Sequence, residues 1–142
     1  EIGEEAFPGR SRAPPSMTDD DRRHGGPVST NKQTIPAAQA LALHDLITPT
    51  EQGIASRVLA RSAGGNLTLF AFDAGQGLTE HKSPFEALVM VLEGELTLTI
   101  GGVPVQATPG TIVQMPADVP HAVDAPVATR MLLLMLRDAK PA

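Results

Sequence analysis

The sequence predicts an all-β fold, a double-sheet antiparallel barrel, on three observations. From residue 53 onward apolar residues recur with a period of 2, the mark of a strand with one face turned inward. Gly and Pro clusters punctuate that region at regular short intervals, giving roughly eight short strands, as a sandwich or barrel requires. Only one segment in the chain has a helical composition.

The 142 residues suffice for one domain, and 42% hydrophobic residues can build one core. Residues 1–35 mix charge, Gly, Pro and Ser without a period of 2 or 3.6. Such a segment buries too little to offset its ordering entropy and is expected to be disordered. Met17, followed by Thr18 and three Asp, reads as a natural start, which leaves residues 1–16 as either an artificial leader or an upstream extension. The barrel domain is expected over 36–142.

Residues 37–47, AAQALALHDLI, form the helical segment. Ala and Leu favour helix, Pro36 suits a first turn and Pro49 closes it. Strands follow at 56–61 (SRVLAR) and 66–73 (NLTLFAFD), joined at Gly64-Gly65, and a loop runs from Gly75 through Pro84. The next strand is 86–92 (EALVMVL). Glu93-Gly94 turns into ELTLTI, and Gly101-Gly102 makes a hairpin turn into VPVQA. Pro109-Gly110 turns into TIVQM, and a Pro-rich loop leads to VATRMLLLML, read as a strand because of Val127 and Thr129.

Several strands are apolar on both faces. In NLTLFAFD, Leu67, Leu69 and Ala71 share one face, and Phe70 and Phe72 the other; EALVMVL is similar. A chain this small does not cover both faces of a sheet, so a homodimer is expected, with the 37–47 helix as the competing cover. Met90, Met115, Met131 and Met135 read first as core or interface filler, and second as the lining of a ligand pocket. Thr97, Thr99 and Gln114 are expected on the exterior of the sheet.

Composition narrows the chemistry. With no Cys there is no disulfide, thiolate nucleophile or Cys-type zinc site. A net charge of -5 without Tyr or Trp argues against a nucleic-acid partner and against sugar stacking. The longest apolar run, Met131 to Leu136, is far short of a membrane span, and no signal-peptide core is visible near the start. No membrane partner is expected, and the cytoplasm is the expected location. Histidine, carboxylate and hydroxyl remain as reactive groups.

The stretch from Gly77 through Gly102, followed by Pro109-Gly110-TIVQMPADVPHAV, has a telling order. His81 is followed by Pro84, an apolar strand, the turn at Gly94 and a hairpin. The second half places Gly110, then Pro116 six residues on, then His121 five further. This pattern resembles the cupin superfamily, over residues 54–137, and within it the small single-domain bacterial barrels. The resemblance implies a double-stranded antiparallel β-helix of jelly-roll type, here with a short N-terminal helix.

It also implies a metal site built from two His and a Glu, Gln or His of a first motif and one His of a second. Several N and O ligands in one barrel mouth hold a divalent metal with open positions. Carried over position by position, the first His matches His81 and the second-motif His matches His121. The second His falls at Ser83 and the carboxylate position at Ala87, and Asp118 replaces the second motif's usual Gly. Two of four ligands therefore remain for Fe, Mn, Zn or Ni. Stable zinc sites usually show at least three protein ligands.

Glu86 precedes the carboxylate position by one, which points it to the opposite face unless a bulge intervenes after Pro84. The expected mouth holds His81 and His121 with Ser83, Glu86 and Ala87 beside them. Glu80, Lys82 and Asp118 read as solvated loop groups, His44-Asp45 as a surface pair, and His24 as a tail residue. The implied function is a small-molecule-binding domain of unassigned activity with an incomplete metal site, its ligand small and mostly apolar. The alternative is a divalent-metal-dependent enzyme of dioxygenase, isomerase or decarboxylase type using His81 and His121. A third reading is a structural dimeric barrel without a ligand.

Overall fold

The computed structural model describes residues 34–137. The tail reading for 1–33, including His24 and the start at Met17, lies outside the described residues. Among the described residues nine strands form two antiparallel sheets. One sheet has the order β1-β2-β9-β4-β7, from β1 (Ile54–Ser62), β2 (Gly65–Phe72), β9 (Thr129–Leu136), β4 (Glu86–Glu93) and β7 (Ile112–Met115). The other has the order β3-β8-β5-β6, from β3 (Gln76–His81), β8 (His121–Ala125), β5 (Leu96–Ile100) and β6 (Val103–Ala107).

Alternation along the strands decides what enters the core. In the shared register of β2, β9 and β4, Phe70 lies opposite Met131 and Met131 opposite Val91, all facing inward. Leu96, Leu98 and Val123 meet them from the second sheet, and each is at most 2% exposed. Stacked sheets sit about 10 Å apart, so such side chains interdigitate and fill the gap between them.

Three sequence readings need correction. The helix expected over 37–47 is a single 3-10 turn, Leu43–Asp45, and Ala38 adopts a positive φ of 58°. A helix this short is marginal without tertiary packing. Here the chain instead follows β1: the Ile35 N–H donates to the Leu59 carbonyl and the Arg57 guanidinium to the Leu46 carbonyl. The loop expected from Gly75 to Pro84 contains β3, and the Pro-rich loop before the last strand contains β8. The bulge in β3 breaks its alternation, and β8, although it alternates, is a short strand with few large apolar residues set between β3 and β5.

The doubly apolar strands are partly accounted for within one chain. Leu59, Leu69 and Ala71 on the outer face of β1 and β2 are buried, where the segment from Ile35 to Thr50 closes over the sheet. The outer face of β4, β7 and β9 is different. There Leu88, Met90, Leu132 and Leu134 are only half-buried, Leu136 is 37% exposed and Ile112 57%.

The turn after β4 depends on Gly94, whose φ is +91° and whose missing Cβ makes room for the Ala128 carbonyl and Thr129. The buried Thr129 hydroxyl accepts the Glu95 N–H at 3.0 Å and ties this turn to β9. Gly94→Ala is expected to lower unfolding stability by about 1–3 kcal/mol from the strained φ alone, with the backbone clash adding to it. Urea titrations of both proteins check this. An unchanged midpoint would contradict the role assigned to Gly94.

Candidate functional site

The pocket opens between the sheets at the end where β3, β8, β7 and β9 converge. His81 and His121, separated by forty residues in sequence, are direct partners across the β3–β8 pair. A bulge creates this pairing. Between Leu78 and His81 strand β3 advances three residues, while β8 advances two, from Val123 to His121. Without the extra residue, strict alternation would turn Glu80 inward and His81 outward. With it, Glu80 is exposed and His81 faces the pocket.

The two imidazole rings stand edge to face with centroids 4.4 Å apart. His81 Nδ1 lies 2.7 Å from the Thr79 carbonyl, and His121 Nδ1 lies 3.1 Å from the Val119 carbonyl. A carbonyl oxygen only accepts, so each Nδ1 carries the proton and donates. In the neutral ring Nε2 then keeps a lone pair. Two lone pairs are thus left for the cavity, held by hydrogen bonds to the chain's own backbone.

The cavity measures about 20 Å³ and is otherwise apolar, lined by Leu78, Val123, Phe70 and three methionines as well as Ser83 and Ala87. That is room for one or two water-sized groups. Burial pushes the His121 imidazole down from the ordinary histidine pKa of 6.5; the hydrogen bond to Val119 opposes this, and the charge of His81 adds to it.

Ser83 is buried at the rim, where its hydroxyl accepts the Phe85 N–H and its carbonyl accepts the Asp118 N–H at 2.7 Å. These bonds tie the loop after β3 to the loop before β8. The Arg137 guanidinium, 5.2 Å from the centre of the Phe85 ring, holds the same loop from the end of β9.

Ala87 faces the cavity, so the carboxylate position of the family pattern is inside but carries only a methyl group. The expectation for Glu86 is corrected. The register runs unbroken from Glu86–Leu136 through Val91–Met131, with no bulge after Pro84 to reverse it. Glu86 therefore points outward, where it accepts a hydrogen bond from the Gln114 amide. Lys82 and Asp118 are exposed, and His44 lies on the surface 3.4 Å from a Glu93 carboxylate oxygen. Among the described residues, no three His, Cys, Asp or Glu converge as a metal site. The donor set therefore does not fit the divalent metal of the family pattern.

Nine strands in two sheets, with a histidine pair at one mouth, define the cupin class of barrel. Residues 68–137 match the family model described as the cupin domain, and the chain belongs to that family. It is similar to the conserved SPY1581 protein of unknown function from Streptococcus pyogenes, at 31% identity and TM-score 0.71 over 75% of this chain and 94% of that one. It is also similar to the cupin superfamily protein DSY2733 from Desulfitobacterium hafniense, at 28% identity and TM-score 0.69 over 74% and 96%. A cupin 2 conserved barrel domain protein from Leptotrichia buccalis is 32% identical, with TM-score 0.63 over 66% of this chain and 46% of that one. No protein of curated function matches the chain.

The lowered pKa of His121 sets a direction for stability. The unfolded histidine takes its proton at a higher pH than the folded one, so the unfolded state binds more protons between the folded pKa and 6.5. Stability from this residue is full above pH 6.5 and is lost as pH falls through the folded pKa. The difference in unfolding free energy between wild type and His121→Gln should therefore stay constant above pH 6.5 and shift against wild type below it. Paired denaturant titrations at several pH values measure that difference, and a difference flat down to pH 4.5 would refute the burial argument.

Proposed function

We propose that this domain is a small-molecule-binding cupin whose pocket recognises a hydrogen-bond donor, such as the hydroxyl of a small, mostly apolar ligand. One observation carries the reading: both Nδ1 atoms are committed to backbone carbonyls, which leaves two Nε2 lone pairs at an apolar cavity. Such a pair accepts hydrogen bonds and repels a carboxylate. The cavity takes the hydroxyl, and the apolar body of the ligand lies in the open mouth. The divalent-metal enzyme reading has only two of its four ligands, His81 and His121, and no carboxylate at Ala87.

Phenols should therefore raise the melting temperature, and carboxylates of the same size should not. At about 100 times its Kd a ligand stabilises the protein by ~2.7 kcal/mol. Thermal scans of wild type and His121→Ala against both series test this. Shifts by carboxylates alone, or equal phenol shifts in both proteins, would overturn it.

The proposal extends to a homodimer through the outer face of β4, β7 and β9. Leu134 lies beside Leu88 there, and Leu132 beside Met90, which itself neighbours Ile112. The polar composition of residues 1–33 makes that segment a poor cover for this patch. A second copy brings an identical apolar patch to it. Light scattering should give twice the 14.9 kDa chain mass. Ile112→Lys, at an exposed position, should give a folded monomer; a wild-type monomer would refute the interface.

A further inference from the structure

The cavity holds a second kind of donor. Met115 from β7, and Met131 and Met135 from β9, line it together with His81 and His121. Their placement relates directly to the residue missing from the family pattern. Ala87 is the direct neighbour of Met115 on one side and of Met135 on the other. Where the pattern calls for one hard, charged oxygen ligand, this chain has a methyl group flanked by two soft, neutral thioethers.

Resting on the reading of this pocket as a binding site, we infer that it binds a soft monovalent cation, copper(I), through His81, His121 and the thioethers of Met115 and Met135. Thioether and imidazole donors favour copper(I), whereas carboxylate and water favour harder ions. Charge argues the same way. The cavity lining contains no anion, so nothing there neutralises a bound cation. The cost of moving an ion into such surroundings rises with the square of its charge, so a divalent ion is penalised about four times as heavily as a monovalent one. Size agrees, because a cavity of about 20 Å³ takes one ion without rearrangement, whereas an organic ligand leaves its body outside. The Nδ1–H bonds to the Thr79 and Val119 carbonyls orient both rings and raise the basicity of Nε2, the usual support for a ligating imidazole. Met131, opposite Phe70, sits deeper in the core and completes the soft lining.

The test uses the full chain without a His tag, under anaerobic conditions. Copper(I) is titrated in competition with a chromogenic copper(I) chelator, and the bound metal is examined by X-ray absorption. The variants are Met115→Leu, Met135→Leu and His121→Ala, with folding checked by circular dichroism. Leu nearly conserves the volume of Met, so both Met variants should keep the fold. One equivalent of copper(I) with both nitrogen and sulfur neighbours is expected. Each Met→Leu change should weaken binding at least tenfold, and His121→Ala should abolish it. Zinc(II) and manganese(II) should not displace the copper. Copper binding unchanged in both Met variants, a shell without sulfur, or tighter binding of zinc(II) would overturn the inference. If phenols bind through His121 while copper(I) does not bind, the copper site falls and the pocket reading stands. If neither binds, both fall.

Discussion

Face parity is the constraint on which the rest of this molecule depends. A strand has two sides, and a shift of one residue exchanges them. Through β2, β9 and β4 the register is unbroken over the core rows, so Phe70, Met131 and Val91 share one interior line. The same parity turns Leu132, Leu134, Leu88 and Met90 to the other side. Core, cavity floor and outer apolar patch are thus three consequences of one alternation. None of them can be altered by a one-residue slip without altering the others.

The site exists because parity is broken in β3, between Leu78 and His81. The bulge before His81 brings it opposite His121 and expels Glu80. Bulges collect at sheet edges and beside functional sites, where they re-aim a side chain, and β3 is an edge strand of its sheet. In β4 parity is kept from Glu86 to Val91, and the outcome is the reverse: Ala87 faces in, and Glu86 pairs with Gln114 outside. An anion is thereby kept out of the mouth. The two imidazoles then meet an apolar lining with no counter-charge, and burial depresses the pKa of His121.

How much of this was legible follows from where the information sits. Strands that alternate against the core, such as Leu96–Ile100 and Thr129–Leu136, show their period in their own residues. The two strands that carry the histidines show it weakly or not at all. QGLTEH has one buried apolar residue and a bulge, and HAVDA has a single large apolar residue, Val123, so β3 is set by pairing with β8, and β8 by pairing with β3 and β5. The histidines were found through motif spacing, not through strand pattern. The 37–47 segment failed for the opposite reason. Its Ala and Leu residues favour helix locally, but the chain spends its backbone groups on β1 instead, through Ile35 and Leu46.

The methionines show the limit most clearly. In sequence Met115 and Met135 are two apolar residues at inward positions, and core filler is the economical reading. Only the strand order β9-β4-β7 reveals that both flank Ala87. That adjacency changes the chemistry of the position. A lost carboxylate alone would leave a weak two-histidine site, and the family's divalent metal would lack both ligands and charge. A lost carboxylate replaced by two thioethers exchanges hard, anionic coordination for soft, neutral coordination. The apolar lining, which penalises a divalent ion and a carboxylate ligand alike, then becomes compatible with what the pocket can hold.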